Sequence, residues 1–164
     1  MSYTNIAARP ILEKLSSSRE RQERSPRLKI FLCHASEDKP AIRDLYRRLQ
    51  LDNFEVWLDE VDILPGKRWR DEIFRALRES DVILVCLSGR ATTKAGFLQK
   101  ELTTALDLLD QQPEGTIFLI PIRLEECKIP ERLRDIQYVD LFQADGYAKL
   151  IRALGARASG TGIT

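Results

Sequence analysis

The chain has 164 residues, of which 43% are hydrophobic and 31% charged, and its formal net charge is +1. This composition is typical of one globular domain with its own core, and the near-neutral charge gives no electrostatic reason to expect nucleic acid or an anionic membrane as a partner. No apolar run approaches the length of a membrane span, and the N-terminus lacks the apolar segment of a signal peptide, so we expect a cytoplasmic protein.

Both ends of the chain differ from its middle in composition. Residues 1–27 include the strongly charged stretch RERQERSPR, which is typical of an N-terminal extension that is partly helical or disordered. Residues 156–164 are small and polar, as in a flexible tail or linker. The folded domain is therefore expected over residues 28–155.

Apolar runs and helical patterns alternate along that domain. Short apolar runs predict strands at 28–33, 54–58, 81–88, 116–124 and, more weakly, 137–141. Patterns with a helical period, the first with Asp38 as a candidate cap, lie at 38–51, 69–80, 97–111, 131–135 and 145–154. The stretch 59–68 between the second strand and its helix contains a Pro-Gly turn and is predicted to be a loop.

This alternation predicts an α/β fold. Strands that are apolar on both faces and alternate with helices indicate a five-stranded parallel sheet with helices on both faces, in the flavodoxin-like order 2-1-3-4-5. In that order ligands bind where the winding reverses, beyond the carboxyl ends of strands 1 and 3. The polar stretch CHASED follows strand 1, and LSGRATTKAGF follows strand 3.

Several kinds of site are disfavoured at this crevice. Strand 3 does not end in the Asp of a phospho-acceptor receiver, CHASEDK has no Gly for a flavin-phosphate loop, and neither a GxGxxG nor a GxxxxGK[ST] motif is present. His34 lies near Ser36 and Asp38 in the sequence, but sequence neighbours rarely form a catalytic triad. The single His and the pair Glu125–Glu126 are not spaced in the sequence as the ligands of a metal site are, so no metal site is expected.

The helix after strand 3 contains an aromatic residue and a carboxylate with helical spacing. Phe97 and Glu101 are four positions apart and therefore lie on the same face, one turn from each other. This spacing alone is compatible with a surface Glu near a core Phe, or with an apolar platform beneath a reactive acid.

Three separated segments, IFLCHASEDK, FEVWLDEVDILPGKRWRDEI and ESDVILVCLS with FLQKELTTAL, resemble the TIR domain (Toll/interleukin-1 receptor/resistance protein) of bacterial type in order and spacing. The resemblance implies a domain that either binds other TIR domains or cleaves NAD+ at the nicotinamide–ribose bond. The NAD-cleaving branch has an aromatic residue, then two or three further residues, then Glu-Leu or Glu-Ile in the helix after strand 3. Phe97, Glu101 and Leu102 match this pattern, with Phe in place of the more common Trp.

The resemblance assigns roles to individual residues. Glu101 would be the catalytic carboxylate, and NAD+ would be a substrate, with no bound cofactor required. Residues expected to contact the nucleotide are His34, Ala35, Ser36, Asp59, Lys67, Ser88 and Phe97. The simpler alternative is that Asp59 and Ser88 cap turns and Lys67 is solvated.

The loop over residues 59–68, from Asp59 to Arg68, corresponds to the BB loop of the family. In related TIR enzymes this loop completes the site of a neighbouring protomer, so self-assembly is expected to be needed for activity. The resemblance also suggests a role in bacterial immune signalling, such as antiphage defence. Two alternatives are a non-catalytic interaction module and a domain that binds NAD or ADP-ribose without cleaving it; the product of cleavage could be ADP-ribose or a cyclic isomer.

Overall fold

A computed structural model describes residues 27–89 and 97–160, without the side chains of residues 97–99. Within these ranges the strands are β1 (Lys29–Cys33), β2 (Glu55–Trp57), β3 (Val82–Leu87), β4 (Leu119–Arg123) and β5 (Val139–Asp140). The α-helices are α1 (Lys39–Leu51), α2 (Asp59–Asp62), α3 (Trp69–Glu79), α4 (Phe97–Asp110) and α5 (Gly146–Gly160), with 3-10 turns at Ser36–Asp38 and Glu131–Leu133.

All strand pairs are parallel, and the sheet order is β2-β1-β3-β4-β5. The flavodoxin-like order predicted from the sequence is therefore confirmed. The winding reverses between β1 and β3, so the crevice for ligands lies beyond Cys33 and Leu87, where these strands end.

The sheet is buried on both faces, and alternate residues of β3 belong to two different cores. One core contains Leu84 and Cys86 together with side chains of α1 and α5. The other contains Val85 and Leu87 together with side chains of α3 and α4. This two-sided burial explains why β3 is apolar throughout, and it places α4 over the face of the sheet to which the odd-numbered residues of β1 and β3 point.

Two elements differ from the sequence-based expectation. The predicted loop after β2 begins with the one-turn helix α2, whose Asp62 carboxylate accepts a hydrogen bond from the backbone N–H of Leu58 at 2.8 Å. This contact satisfies the N–H of the residue that precedes the helix, as one half of a capping box does. The last helix continues to Gly160, into the stretch that was expected to be a tail.

The expectations for residues 1–26 and 161–164 lie outside the described part of the chain. No helix within that described part is long and apolar enough to cross a membrane.

Candidate active site

A small cavity lies at the carboxyl end of β1, against the second turn of α4. Residues that line it include Phe31, Cys33, His34, Trp57, Asp59 and Glu101. Its volume is about 20 Å³, which is enough for about one water molecule. In this conformation the cavity is therefore too small for a nicotinamide ring.

Glu101 is the buried acid of this cavity. The side chains of Leu102 and Ala105 belong to the core beneath α4, and they fix the helix so that Glu101 lies at the edge of its buried face. Glu101 is 7% exposed, and its Oε2 atom has no hydrogen-bond partner among the described residues. Because buried polar atoms are nearly always paired, an orphaned carboxylate oxygen indicates a group held ready for a ligand.

Burial raises the pKa of Glu101 above its ordinary value. Its own backbone N–H and the positive charges of Lys100 and Arg70 act in the opposite direction and lower the pKa, but burial has the larger effect. When ionised, the carboxylate therefore has little competing solvation, and it attracts a nearby positive charge more strongly than an exposed carboxylate does.

His34 joins the end of β1 to the start of the BB loop. Its ring is buried, with Nδ1 3.2 Å from the carbonyl oxygen of Leu32 and Nε2 3.8 Å from Oδ1 of Asp59. The contact with the carbonyl favours the tautomer in which Nδ1–H donates. Asp59 is the first residue of α2, so a movement of the BB loop would change the contact on Nε2.

A larger cleft of about 290 Å³ adjoins the Glu101 cavity and shares His34, Asp59 and Ile73 with it. Its other lining residues include Ser36 and Trp69. The volume is at the lower limit of small-molecule sites, which suits part of a nucleotide. Glu101 lines the smaller of the two spaces, and Ser36 and Trp69 line the larger one.

A side-chain hydrogen bond of Ser88 connects the two sides of the crevice. Its hydroxyl donates to Oδ2 of Asp38 at 2.7 Å, and this bond connects the end of β3 to the turn after β1. Asp38 is the cap residue of α1 by position, but its side chain makes no cap hydrogen bond. The next residue, Gly89, donates its N–H to Oε1 of Glu125 at 3.0 Å.

Only some of the residues expected to contact the nucleotide line the cavity or the adjoining cleft. Glu101, His34 and Asp59 lie together at the cavity, and Ser36 lines the adjoining cleft. Ala35 packs into the apolar core below it. Lys67 lies exposed in the BB loop and lines neither space, and the side chain of Phe97 lies outside the described part of the chain.

The sequence analysis missed an aromatic wall of the cavity. Phe31 and Trp57 stack with ring centroids 4.9 Å apart and an interplanar angle of 10°. They occupy paired positions on β1 and β2, which brings the two rings side by side. The only signal in the sequence was an aromatic residue in each of two runs predicted to be neighbouring strands.

Comparisons with known proteins agree with this architecture. A family model described as the TIR domain matches residues 30–154. The chain is 32% identical over 110 residues to the NAD(+) hydrolase TcpA of a Theionarchaea archaeon, an alignment that covers 66% of this chain and 32% of that protein. It is 37% identical over 110 residues to the 2' cyclic ADP-D-ribose synthase BtTIR of Bacteroides thetaiotaomicron, covering 66% of this chain and 37% of that protein.

A solved structure shows the same fold. The TIR domain of the Toll-related receptor TRR-2 from Hydra magnipapillata superposes with a TM-score of 0.64 at 23% identity, covering 77% of this chain and 97% of that one. The chain spans about a third of the length of the two relatives named above, so the likeness concerns the domain.

Proposed function

We propose that this chain, which belongs to the TIR domain family, cleaves NAD+ at the nicotinamide–ribose bond with Glu101 as the catalytic carboxylate. The observation that carries the proposal is the buried Oε2 of Glu101, which has no partner among the described residues and belongs to a side chain that lines a cavity with an aromatic wall. The names of two relatives, an NAD(+) hydrolase and a cyclic ADP-ribose synthase, support the same substrate. This substrate also fits a cytoplasmic location.

The chemistry requires few groups. The nicotinamide of NAD+ is already cationic, so it leaves as a neutral base when the C1'–N bond breaks, and no general acid has to protonate it. The ribose becomes an oxocarbenium-like cation, which a desolvated carboxylate stabilises more strongly than the neutral products. Glu101 supplies that carboxylate, and it can also accept a hydrogen bond from a ribose hydroxyl.

The nucleophile that attacks the cation decides the product. Attack by water gives ADP-ribose, with the water proton passing to a base such as Glu101. Attack by a group of the same nucleotide gives a cyclic isomer, and this requires water to be kept out of the site. The cavity beside the apolar wall of Phe31 and Trp57 has room for about one water molecule, which is compatible with either outcome.

Self-assembly through the BB loop is the second part of the proposal. Val61 and Leu64 of this loop are exposed, and Gly66 has a φ of 88°, so the Pro-Gly turn presents an apolar tip. Asp59 belongs to both the loop and the cavity wall. Docking of the loop on a neighbour would therefore move a wall of the closed cavity and make room for the substrate.

A groove at the opposite edge of the sheet is a suitable receptor for that tip. It has a volume of about 800 Å³ and runs along β4 and β5 towards α5, with apolar walls that include Leu109, Ile117, Ile136, Tyr138 and Ala153. Because β2 and β5 are the two outer strands, the tip and the groove face in different directions. Such a pair of unlike surfaces joins protomers head to tail rather than as a closed dimer.

Nicotinamide release from NAD+ is the direct test. Wild type at high protein concentration is expected to release nicotinamide, and so is the control Glu79→Ala, which removes an exposed Glu from α3. Glu101→Ala is expected to release none. Release by Glu101→Ala at the wild-type rate would refute the catalytic assignment, and chromatography of the second product separates ADP-ribose from a cyclic isomer.

The rival function is a TIR–TIR interaction module without turnover. The exposed BB loop suits such a module equally well, but a module of this kind has no use for a buried carboxylate without a partner. Silence of the wild type at every concentration, together with self-association, would favour the rival. Binding of NAD+ without product would favour a sensor. The contact of Lys67 with a phosphate of the neighbour's nucleotide remains a prediction.

A further inference from the structure

We propose that Cys33 is a positioning residue for this reaction, because it leaves the Glu101 carboxylate without a strong hydrogen-bond donor at the end of β1. The effect on the reaction rate rests on the proposed function, whereas the effect on the Glu101 carboxylate does not. The physical claim is that the side chain at position 33 determines how well the carboxylate of Glu101 is solvated.

The geometry brings the two side chains to the same small cavity. Cys33 is the last residue of β1, it is buried, and it packs in the core beneath α4. Cys33 and Glu101, whose Oε2 has no hydrogen-bond partner among the described residues, both line this cavity. A thiol is only a weak donor, so Cys33 fills this position without solvating the carboxylate.

The thiol is not itself a reactive group. Burial, together with the negative charge of Glu101, raises the pKa of Cys33 well above its ordinary value, so that it stays protonated. Only the thiolate is a good nucleophile, and Cys33 therefore acts through its shape and its weak polarity.

Other charged groups face Glu101 from the surrounding elements. Lys100 lies beside it on α4 and Arg70 lies on α3. His34 at the end of β1 and Asp59 at the start of α2 line the same cavity. All four stay in place when residue 33 is changed, so a change in the titration of Glu101 reports on position 33.

The expected role follows from how a carboxylate stabilises a cation. A donor at position 33 would stabilise the ionised carboxylate before the reaction begins, and this would lower its pKa. The same donor would weaken the extra attraction that the carboxylate exerts on the oxocarbenium-like ribose, since catalysis depends on the difference between the two states. Because the thiol of Cys33 is only a weak donor, it fills the space without weakening the attraction between the carboxylate and the ribose cation.

Cys33→Ser tests the proposal, because it replaces the weak donor by a hydroxyl of similar shape. Cys33→Val is the donor-free counterpart. Cys86→Ser is the matched control, because Cys86 is a buried cysteine on the other face of the sheet and does not line the cavity. The readout is the carboxyl ¹³C titration of Glu101, assigned with Glu101→Gln, and the pH profile of kcat.

Cys33→Ser is expected to lower the pKa of Glu101 by about one unit, which corresponds to the free energy of one hydrogen bond to a charged group. It is also expected to lower kcat several-fold. Cys33→Val and Cys86→Ser are expected to leave the titration near its wild-type position or above it. If Cys33→Ser does not fold, Cys33→Thr supplies the same hydroxyl together with a methyl group.

Two results would overturn the proposal: an unchanged pKa of Glu101 in the hydroxyl variant, or an equal decrease of that pKa in Cys33→Val. The NMR titration needs no turnover. A chain that never cleaves NAD+ would therefore refute the proposed function, while the titration still decides whether residue 33 controls the carboxylate.

Discussion

Glu101 should make the fold less stable than it would be with an apolar side chain, and Glu101→Met measures that cost. Methionine keeps the length and the helical preference of the side chain but removes the buried Oε2 that has no partner in the described part of the chain. Relief of one unsatisfied buried polar group is worth about 1–3 kcal/mol. At roughly 2–4 °C per kcal/mol for a domain of this size, Tm at neutral pH should rise by about 2–12 °C.

The gain should depend on pH with a definite sign. Burial raises the pKa of Glu101 in the folded state, so the folded chain binds this proton more tightly than the unfolded chain. The penalty of Glu101 is therefore absent below the unfolded pKa and grows as pH rises through the folded pKa. Thermal unfolding at acidic and at neutral pH should show the methionine variant gaining stability only at the higher pH.

Glu79→Met at the exposed end of α3 is the matched control, and its effect should stay within about 0.5 kcal/mol at both pH values. A lower Tm for Glu101→Met at neutral pH, or a gain that does not change with pH, would refute the reasoning. Either result would mean that the carboxylate is solvated or paired in the folded protein.

The rate of nicotinamide release should rise with pH through the raised pKa of Glu101, because only the ionised carboxylate stabilises the cation; a midpoint at or below the ordinary pKa of a Glu side chain would contradict this. Leu64→Asp should abolish the steep dependence of specific activity on protein concentration, whereas Leu51→Asp, at a leucine that is more exposed and lies outside the BB loop, should preserve it. In urea unfolding, Gly146→Ala should destabilise the fold by about 1–3 kcal/mol, because its Cβ would lie 2.1 Å from a backbone oxygen, while Gly155→Ala should stabilise it by about 0.5–1 kcal/mol.

The fold was predictable because burial on both faces leaves a clear pattern in the sequence. β3 is apolar at every position, and only a strand at the centre of a covered parallel sheet has that property. Helix α2 was not predicted because it has a single turn. Backbone hydrogen bonds, such as the one from the N–H of Asp62 to the carbonyl oxygen of Leu58, hold this turn together with the bond from the N–H of Leu58 to the Asp62 carboxylate. One turn is too short for a periodic signal, so the Pro-Gly that follows dominated the prediction.

The site was only partly predictable, for a related reason. The helical spacing and the family resemblance both pointed to Glu101, and the structure adds its burial and its orphaned oxygen. The stack of Phe31 on Trp57 depends on the register between β1 and β2, which the sequence does not specify. The side chain of Ala35 packs in the apolar core just beyond the end of β1, and its contact with the nucleotide stays a prediction.

The aromatic wall also gives the molecule an optical signal of its own. The chain has two tryptophans, Trp57 against Phe31 beside Glu101 and Trp69 exposed at the mouth of the adjoining cleft. In a Trp69→Phe protein the remaining indole would report only on the inner cavity. Its emission would then follow the entry of a ligand and the opening of the cavity in real time, without a label and without waiting for product.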